Sequence, residues 1–291
     1  MTSTKAEVDV GYSLSNDFFR LWLDERMHYT SAVYERPEDS LERAQENKAR
    51  ILYDWAELDA SKTVLDIGCG WGANLEYVAK RGIKQAHGIT LSTAQFEECL
   101  ARKIPNTKFW MIDYKDWEPR LDNGEVGGKY DGLQSIEMID HLVSPAQSRQ
   151  GLAIDIYREY FRKLSTWVKP GGVFAFQAIL RNRVPRTRKD LQDLAFTADI
   201  IFPGGLNPRL EELVAAVNPY WEIEKLETRR VHYGKTTAEW LRRLEANEKT
   251  IREQWGDQVF TDYVRYLSTC VRAFANHWSS DVQMKLRHIA L

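Results

Sequence analysis

A chain of 291 residues can bury a full α/β core with one added subdomain, and nothing in its length demands two independent domains. Forty Lys and Arg against 42 Asp and Glu leave a formal net charge of -2, so no global field favours nucleic acid or an anionic membrane. The odd, widely spaced Cys69, Cys99 and Cys270 form neither a disulfide framework nor a metal-ligand pairing, which fits a reduced cytoplasmic setting without metal. The first seven residues lack the apolar core of a signal peptide and no apolar run approaches transmembrane length, so a soluble protein without stable membrane insertion is expected.

The apolar residues Phe18, Phe19, Leu21, Trp22 and Leu23 alternate with charged ones and predict an amphipathic helix over 16–27. A second helix is expected from Ser40 to about Leu58, with Ile51, Leu52 and Trp55 on one face. Strand and helix then alternate: strands over 63–67, 86–90, 108–112, 132–136 and 173–179, helices over 74–81, 93–103 and 150–167. This alternation predicts a parallel sheet. Beyond it, residues 181–189 read as a basic loop broken by Pro185, 190–201 as a helix stopped at Pro203-Gly204-Gly205, and Asn207-Pro208 as the start of a helix over 209–217. The runs 221–227 and 231–233 are expected to pair as the last strands. Two long helical stretches joined near Gly256-Asp257 fill 236–277.

The chemistry centres on Val64-Leu65-Asp66-Ile67-Gly68-Cys69-Gly70-Trp71-Gly72. Aliphatic residues lead into Gly-x-Gly-x-Gly, where backbone leaves a buried strand, turns tightly and opens a helix, so a ligand can approach bare backbone. A dinucleotide site would prefer Gly-x-Gly-x-x-Gly and a ribose-binding acid about 20 residues on. Here Asp66 precedes the glycines, and the next strand ends in Thr90-Leu91-Ser92. The arrangement resembles motif I of class I S-adenosylmethionine methyltransferases.

Four further stretches occur in order with that turn: Met27-His28-Tyr29-Thr30-Ser31-Ala32-Val33-Tyr34, Gly88-Ile89-Thr90-Leu91-Ser92-Thr93-Ala94-Gln95, Ser135-Ile136-Glu137-Met138-Ile139-Asp140-His141 and Tyr266-Leu267-Ser268-Thr269-Cys270. Together they resemble the cyclopropane-fatty-acid synthase and mycolic acid methyltransferase family over about residues 11–285. The resemblance implies an α/β, Rossmann-like class I sheet with helices on both faces. It places an N-terminal helical lid over 1–60, a core over 61–235 with a helical insertion near 185–220, and a C-terminal helical extension over 236–291. It implies S-adenosyl-L-methionine as cofactor, held by Tyr29 and Thr30 at the methionine end, Asp66, Gly68 and Gly70 at the turn, Thr90, Leu91 and Gln95 near the ribose, and Tyr114 and Ile136 near the adenine. For Asp113 and Trp117 a place in the core is as good a reading.

Synthases resembling this chain hold a bicarbonate, the base for a carbocation, with a cysteine, a glutamate, a histidine and a tyrosine. Ser31 stands at the cysteine position, Asp140 at the glutamate and Gln177 at the histidine, while Tyr233 matches the tyrosine. The anion site should be weakened, leaving Ser31 and Gln177 as substrate-facing positions. Glu137, Asp140 and His141 follow the fourth strand at the carboxyl edge where α/β ligands bind. If the turn is helical they share one face, a carboxylate can tune the imidazole, and Glu137, Asp140, His141 and Tyr233 are the catalytic candidates. The same pattern resembles plant alkaloid N-methyltransferases, and the alternative is a solvated helix start. Arg181, Arg183, Arg186, Arg188 and Lys189 could clamp a phosphate, although a solvated loop is the preferred reading. His232 and His277 read as structural. The expected activity is methylation of a hydrophobic small molecule of the terpenoid, polyketide or alkaloid kind, with lipid cyclopropane synthesis and non-catalytic cofactor binding as alternatives. No nucleic-acid partner is expected, and a homo-oligomer is compatible with the sequence.

Overall fold

The computed structural model describes residues 14–120 and 124–290. The chain start assessed above for signal character lies outside them. Among the described residues, one mixed sheet carries seven strands: β1 (Thr63–Ile67), β2 (Gln85–Thr90), β3 (Thr107–Met111), β4 (Tyr130–Ile136), β5 (Val168–Arg181), β6 (Trp221–Thr228) and β7 (Ser279–His288). Their order is β3-β2-β1-β4-β5-β7-β6. The strands β1 to β5 pair in parallel, and β7 runs antiparallel between β5 and β6. Chain order reverses between β1 and β4, so their carboxyl ends flank the crevice where ligands of open α/β sheets bind. Asp131 fixes the register there by accepting from the Thr63 N–H and hydroxyl, each at 2.9 Å.

The helices are α1 (Asn16–Arg20), α2 (Leu41–Trp55), α3 (Ala73–Ala79), α4 (Thr93–Ala101), α5 (Pro145–Arg149), α6 (Ala153–Ser165), α7 (Arg188–Phe196), α8 (Leu210–Val217), α9 (Arg230–Ala246), α10 (Glu248–Trp255) and α11 (Asp257–Ala275). One sheet face buries Leu133, Phe174, Phe176, Met284 and Leu286 against α6 and α8. On the other, Val64 and Ala86 are buried with Leu52 of α2 and Leu75 of α3. Over the crevice lies a separate aromatic core in which Phe18, Trp22, Trp240, Tyr263 and Phe274 join the N-terminal segment to α9 and α11. Phe18 meets Tyr263 edge-on with centroids 4.6 Å apart. Burying one such ring contributes about 1.5–3 kcal/mol, and the edge contact about 0.5–1.5 kcal/mol more.

Several expected elements differ, among them the two helical stretches of 236–277, which are three helices broken at Asn247 as well as Gly256, and the helical extension over 236–291, which also carries β7 of the core sheet. The first helix ends at Arg20 because Asp24 turns the chain, accepting from the His28 N–H at 2.7 Å, and Met27 takes a φ of 63°. The helix expected at Asn207 starts at Leu210, where the Glu212 carboxylate satisfies the Arg209 N–H at 2.7 Å. Residues 231–233 are not a strand but the first turn of α9, which puts Tyr233, Thr237, Trp240 and Leu244 on one buried face. The partner of β6 is β7, whose Val282, Met284 and Leu286 alternate into the core while Asp281 and Gln283 are buried on the lid side. The strand alternation is present in the sequence, whereas the burial of its polar face is not legible there.

Candidate active site

A cavity of about 540 Å³ lies between the carboxyl ends of the strands and the helical cover, within the size range of small-molecule sites. Tyr29, Thr30, Asp66, Gly68, Gly70, Thr90, Leu91, Gln95, Tyr114, Ile136, Glu137, Asp140, His141 and Tyr233 all line it. Ser31 and Gln177 do not face it and stand behind Glu137. Asp113 faces the cavity, whereas Trp117 is fully buried in the core beside Trp110 and His87.

The glycine turn supplies the floor of one end. Gly68, Gly70 and Gly72 have φ of 78°, 55° and 81°, left-handed values that favour glycine. A Cβ at Gly68 would lie 2.7 Å from Met138 Cγ, so this glycine is required by the protein's own packing, whereas at Gly70 a Cβ meets no protein atom within 4 Å and the backbone stays open to the cavity. Gly68→Val is therefore expected to lower stability by about 1–3 kcal/mol. Thermal melting checks this, and an unchanged Tm would show that the Met138 side chain simply yields.

Beside the turn, Asp66 is buried and accepts from Asn74 Nδ2 at 3.2 Å, while its second oxygen has no partner among the described residues. Burial raises its pKa to about 7. An orphan carboxylate oxygen next to bare backbone suits a cationic or N–H donor, which fits the ammonium end of S-adenosylmethionine. Thr90 Oγ1 donates to Gln95 Oε1 at 2.7 Å, leaving the Gln95 amide N–H groups as donors for a polyol. Lys48, which the sequence motifs do not single out, is fully buried and donates to Thr30 Oγ1 at 2.7 Å. Burial lowers its pKa to about 8, opposed by the Glu137, Asp24 and Asp66 carboxylates. A signal for it exists in the sequence: a lysine sits in the buried stripe of α2 between Ala44 and Leu52.

The other end holds the acids. Glu137 N–H donates to the Gln177 carbonyl at 2.8 Å, and its carboxylate accepts from Ser31 N–H at 2.9 Å, Gln177 Nε2 at 2.7 Å and Tyr233 OH at 2.7 Å. Its φ is 61°, strained for any residue with a side chain and costing about 1–3 kcal/mol. Burial raises its pKa, and the Ser31, Tyr233 and Gln177 hydrogen bonds and the Lys48 charge oppose that rise. The turn that follows is a short 3-10 segment, Ile139–His141, and no hydrogen bond joins Glu137 to His141 among the described residues. The carboxylate–imidazole pair expected from helical spacing is thus replaced by a carboxylate on three donors. Burial drops the His141 pKa to about 4, which leaves a neutral, weakly basic ring. Burial and the neighbouring Glu137 charge raise Asp140 well above the ordinary carboxylate range, and one of its oxygens has no partner among the described residues.

Among the described residues, two of the five basic side chains of the segment are paired, and Arg183 lines the cavity. Arg181 binds Glu212 at 2.6 Å, Ser148 and the Asn207 carbonyl, and Lys189 pairs with Asp193 at 2.8 Å. His232 Nδ1 accepts from the Tyr34 N–H at 3.1 Å, a structural role. No group of three or more metal-ligating side chains occurs among the described residues, and no described helix is long and apolar enough to cross a membrane.

The sheet order with its antiparallel seventh strand, together with the glycine turn at the switch point, defines the Rossmann-like α/β fold of class I methyltransferases. The chain belongs to the family described as mycolic acid cyclopropane synthetase, whose model matches residues 1–284. It is similar to the S-adenosylmethionine-dependent methyltransferase UmaA of Mycobacterium tuberculosis, at 29% identity over 286 residues covering 94% of each chain. Cyclopropane mycolic acid synthase 2 of Mycobacterium bovis is 26% identical over 290 residues, covering 94% of this chain and 92% of the relative. The structure of the mycolic acid cyclopropane synthase CmaA1 complexed with SAH and CTAB matches the fold with a TM-score of 0.86 at 24% identity, covering 99% of both chains. S-adenosylmethionine is the cofactor of this enzyme.

Proposed function

We propose that the enzyme alkylates a carbon–carbon double bond in a lipid acyl chain, with Glu137 as the built-in base. The observation that carries the reading is the Glu137 carboxylate resting on Ser31, Gln177 and Tyr233, three of the four positions at which the resembling synthases hold bicarbonate. Membership of a lipid-modifying family supports an acyl acceptor over the terpenoid, polyketide or alkaloid acceptor expected from the sequence, and so favours the lipid alternative weighed there. The CmaA1 structure was obtained with SAH and CTAB, an alkyl amphiphile, which supports an acyl acceptor for this fold.

We assign Asp66, Gly70, Thr90, Gln95 and Tyr114 to holding the cofactor, which when bound supplies an electrophilic methyl group. The protein's part is to align the alkene and to keep water from the cation that methylation leaves on the substrate. Glu137 then removes a proton, either from the new methyl group, whose carbon lies two bonds from the cationic carbon, or from a chain carbon next to the cation. Taking it from the new methyl group closes a cyclopropane, and taking it from the chain leaves a methyl-branched alkene. The test is incubation with unsaturated phospholipids and acyl thioesters and a cofactor bearing a trideuterated methyl group, followed by mass spectrometry. Acyl products retaining two deuteriums report ring closure and three report a branched alkene, and absence of label from every acyl chain would reject a lipid acceptor.

A further inference from the structure

Glu137 sits at the end of a buried chain of amides that begins on an arginine. Arg229 Nε donates to Gln283 Oε1 at 2.9 Å, Gln283 Nε2 donates to Gln177 Oε1 at 2.8 Å, and Gln177 Nε2 donates to Glu137 Oε1 at 2.7 Å. Gln283 and Gln177 are fully buried, on neighbouring strands and directly opposed in register. We infer that Arg229 and Gln283 are positioning residues for Glu137, setting the direction of this chain so that it ends on the carboxylate as a donor.

The argument rests on what each group can and cannot do. A carboxamide carries a donor and an acceptor of nearly equal size and is free to turn over, whereas guanidinium is a donor only. An arginine at the head therefore takes the Gln283 oxygen and turns the Gln283 amide nitrogen to Gln177. Gln177 must answer with its oxygen and present its own nitrogen to Glu137. Reversing the chain would set the Gln177 carbonyl against the Glu137 carboxylate, two acceptors facing each other, and the carboxyl would take up a proton. Aligned hydrogen bonds polarise one another, so the charge on Arg229 strengthens the last link. Arg229 is itself held, by its N–H on the Asp281 carbonyl at 2.8 Å and by an ion pair with Glu227 at 2.5 Å.

The surroundings make such a device useful. The groups around Glu137 are Asp140 in its own turn, Asp281 on β7, Lys48 on α2, Tyr233 on α9, and Tyr266 and Cys270 on α11 beside Tyr233. Asp281 is fully buried with neither carboxylate oxygen partnered among the described residues, so ionising Glu137 faces two further buried acids and one buried cation. Ser31 N–H and Tyr233 OH each supply one donor, and the amide chain supplies the third.

This inference rests on Glu137 as the base but is tested without relying on turnover. Protein labelled with 13C at the glutamate carboxyl would be titrated by NMR, the Glu137 signal being assigned with Glu137→Gln. Gln283→Met and Arg229→Met are expected to move its titration to higher pH by about one unit or more, and Arg229→Lys, still a donor-only cation, is expected to hold it near the wild-type value. Arg229 lies at the rim, so its variants retain the core if Gln283→Met does not fold. In parallel, the acid limb of the kcat profile should move the same way, costing about tenfold in kcat on the acid side with KM for the cofactor unchanged. An unchanged Glu137 titration in a folded Arg229→Met protein would overturn the inference. Full turnover in Glu137→Gln would instead overturn the base assignment while leaving the NMR result to decide this one.

Discussion

Replacing Glu137 by glutamine is expected to lower turnover by about 100- to 10,000-fold, the range for loss of a general base, with S-adenosylmethionine affinity unchanged. The substitution keeps shape: the new carboxamide oxygen can still accept from Ser31 N–H and Gln177 Nε2, and its nitrogen can donate to the Tyr233 hydroxyl, so the fold has no reason to give way. What disappears is the ability to accept a proton. The wild-type pH profile follows from the same group. Burial raises the Glu137 pKa, so the base is present above that raised value and is lost as pH falls through it, giving an acid limb above the ordinary carboxylate range. For stability the sign is opposite to that of a salt-bridged acid. The folded protein retains a proton that the unfolded chain releases, so this group's contribution is fully present below the unfolded pKa and is lost as pH rises through the folded one. Single-turnover rates across pH, with calorimetry for cofactor binding, check both the loss of rate and the acid limb. Wild-type rates in Glu137→Gln would reduce the residue to a structural anchor.

The parts of the molecule that can be read from the sequence are those in which local pattern and tertiary role agree. The run Val64 to Gly72 specifies a strand, a left-handed turn and a helix in consecutive residues, and the structure realises each of them. The residues assigned to the cofactor all return to one cavity because each follows the carboxyl end of a parallel strand or belongs to the cover. What the sequence hides is polar burial and long-range pairing. In β7 the alternation of Val282, Met284 and Leu286 with Asp281, Gln283 and Lys285 is a strand pattern, but its pairing with β5 and β6 is long-range, and a short run in α9 mimics a strand ahead of it. Lys48 is hidden in a related way, and Glu137, although a catalytic candidate in the sequence, is hidden in its partners: only the fold shows Lys48 on Thr30 and Glu137 on three donors drawn from three distant segments. The helical spacing of Glu137 and His141 is a sound local inference that the left-handed Glu137 backbone overrules.

That backbone yields the second large effect. Glu137→Gly removes the carboxylate at a position whose φ of 61° suits glycine, so the variant is expected to fold at least as well as the wild type in the turn itself. It also leaves Ser31 N–H, Gln177 Nε2 and Tyr233 OH around an empty space, each a buried donor costing about 1–3 kcal/mol while unpaired. A small oxyanion fills that need, supplying acceptor oxygens to the donors and a base to the substrate. Turnover is therefore expected to fall with Glu137→Gly as it does with Glu137→Gln, and then to rise saturably when bicarbonate, formate or acetate is added. A rise of about tenfold corresponds to about 1.4 kcal/mol of recovered transition-state stabilisation. Neither the wild type nor Glu137→Gln should respond, because their side chains already occupy the place. Initial rates in bicarbonate-free buffer under inert gas, with each anion added back, make the measurement. Bicarbonate stimulation of the wild-type enzyme would mean that a separate anion site persists beside Glu137. A folded Glu137→Gly protein deaf to every anion would mean that the three donors hold the glutamate for structure alone. Rescue that follows anion basicity rather than size would place proton removal, and not the filling of a cavity, as what the carboxylate contributes.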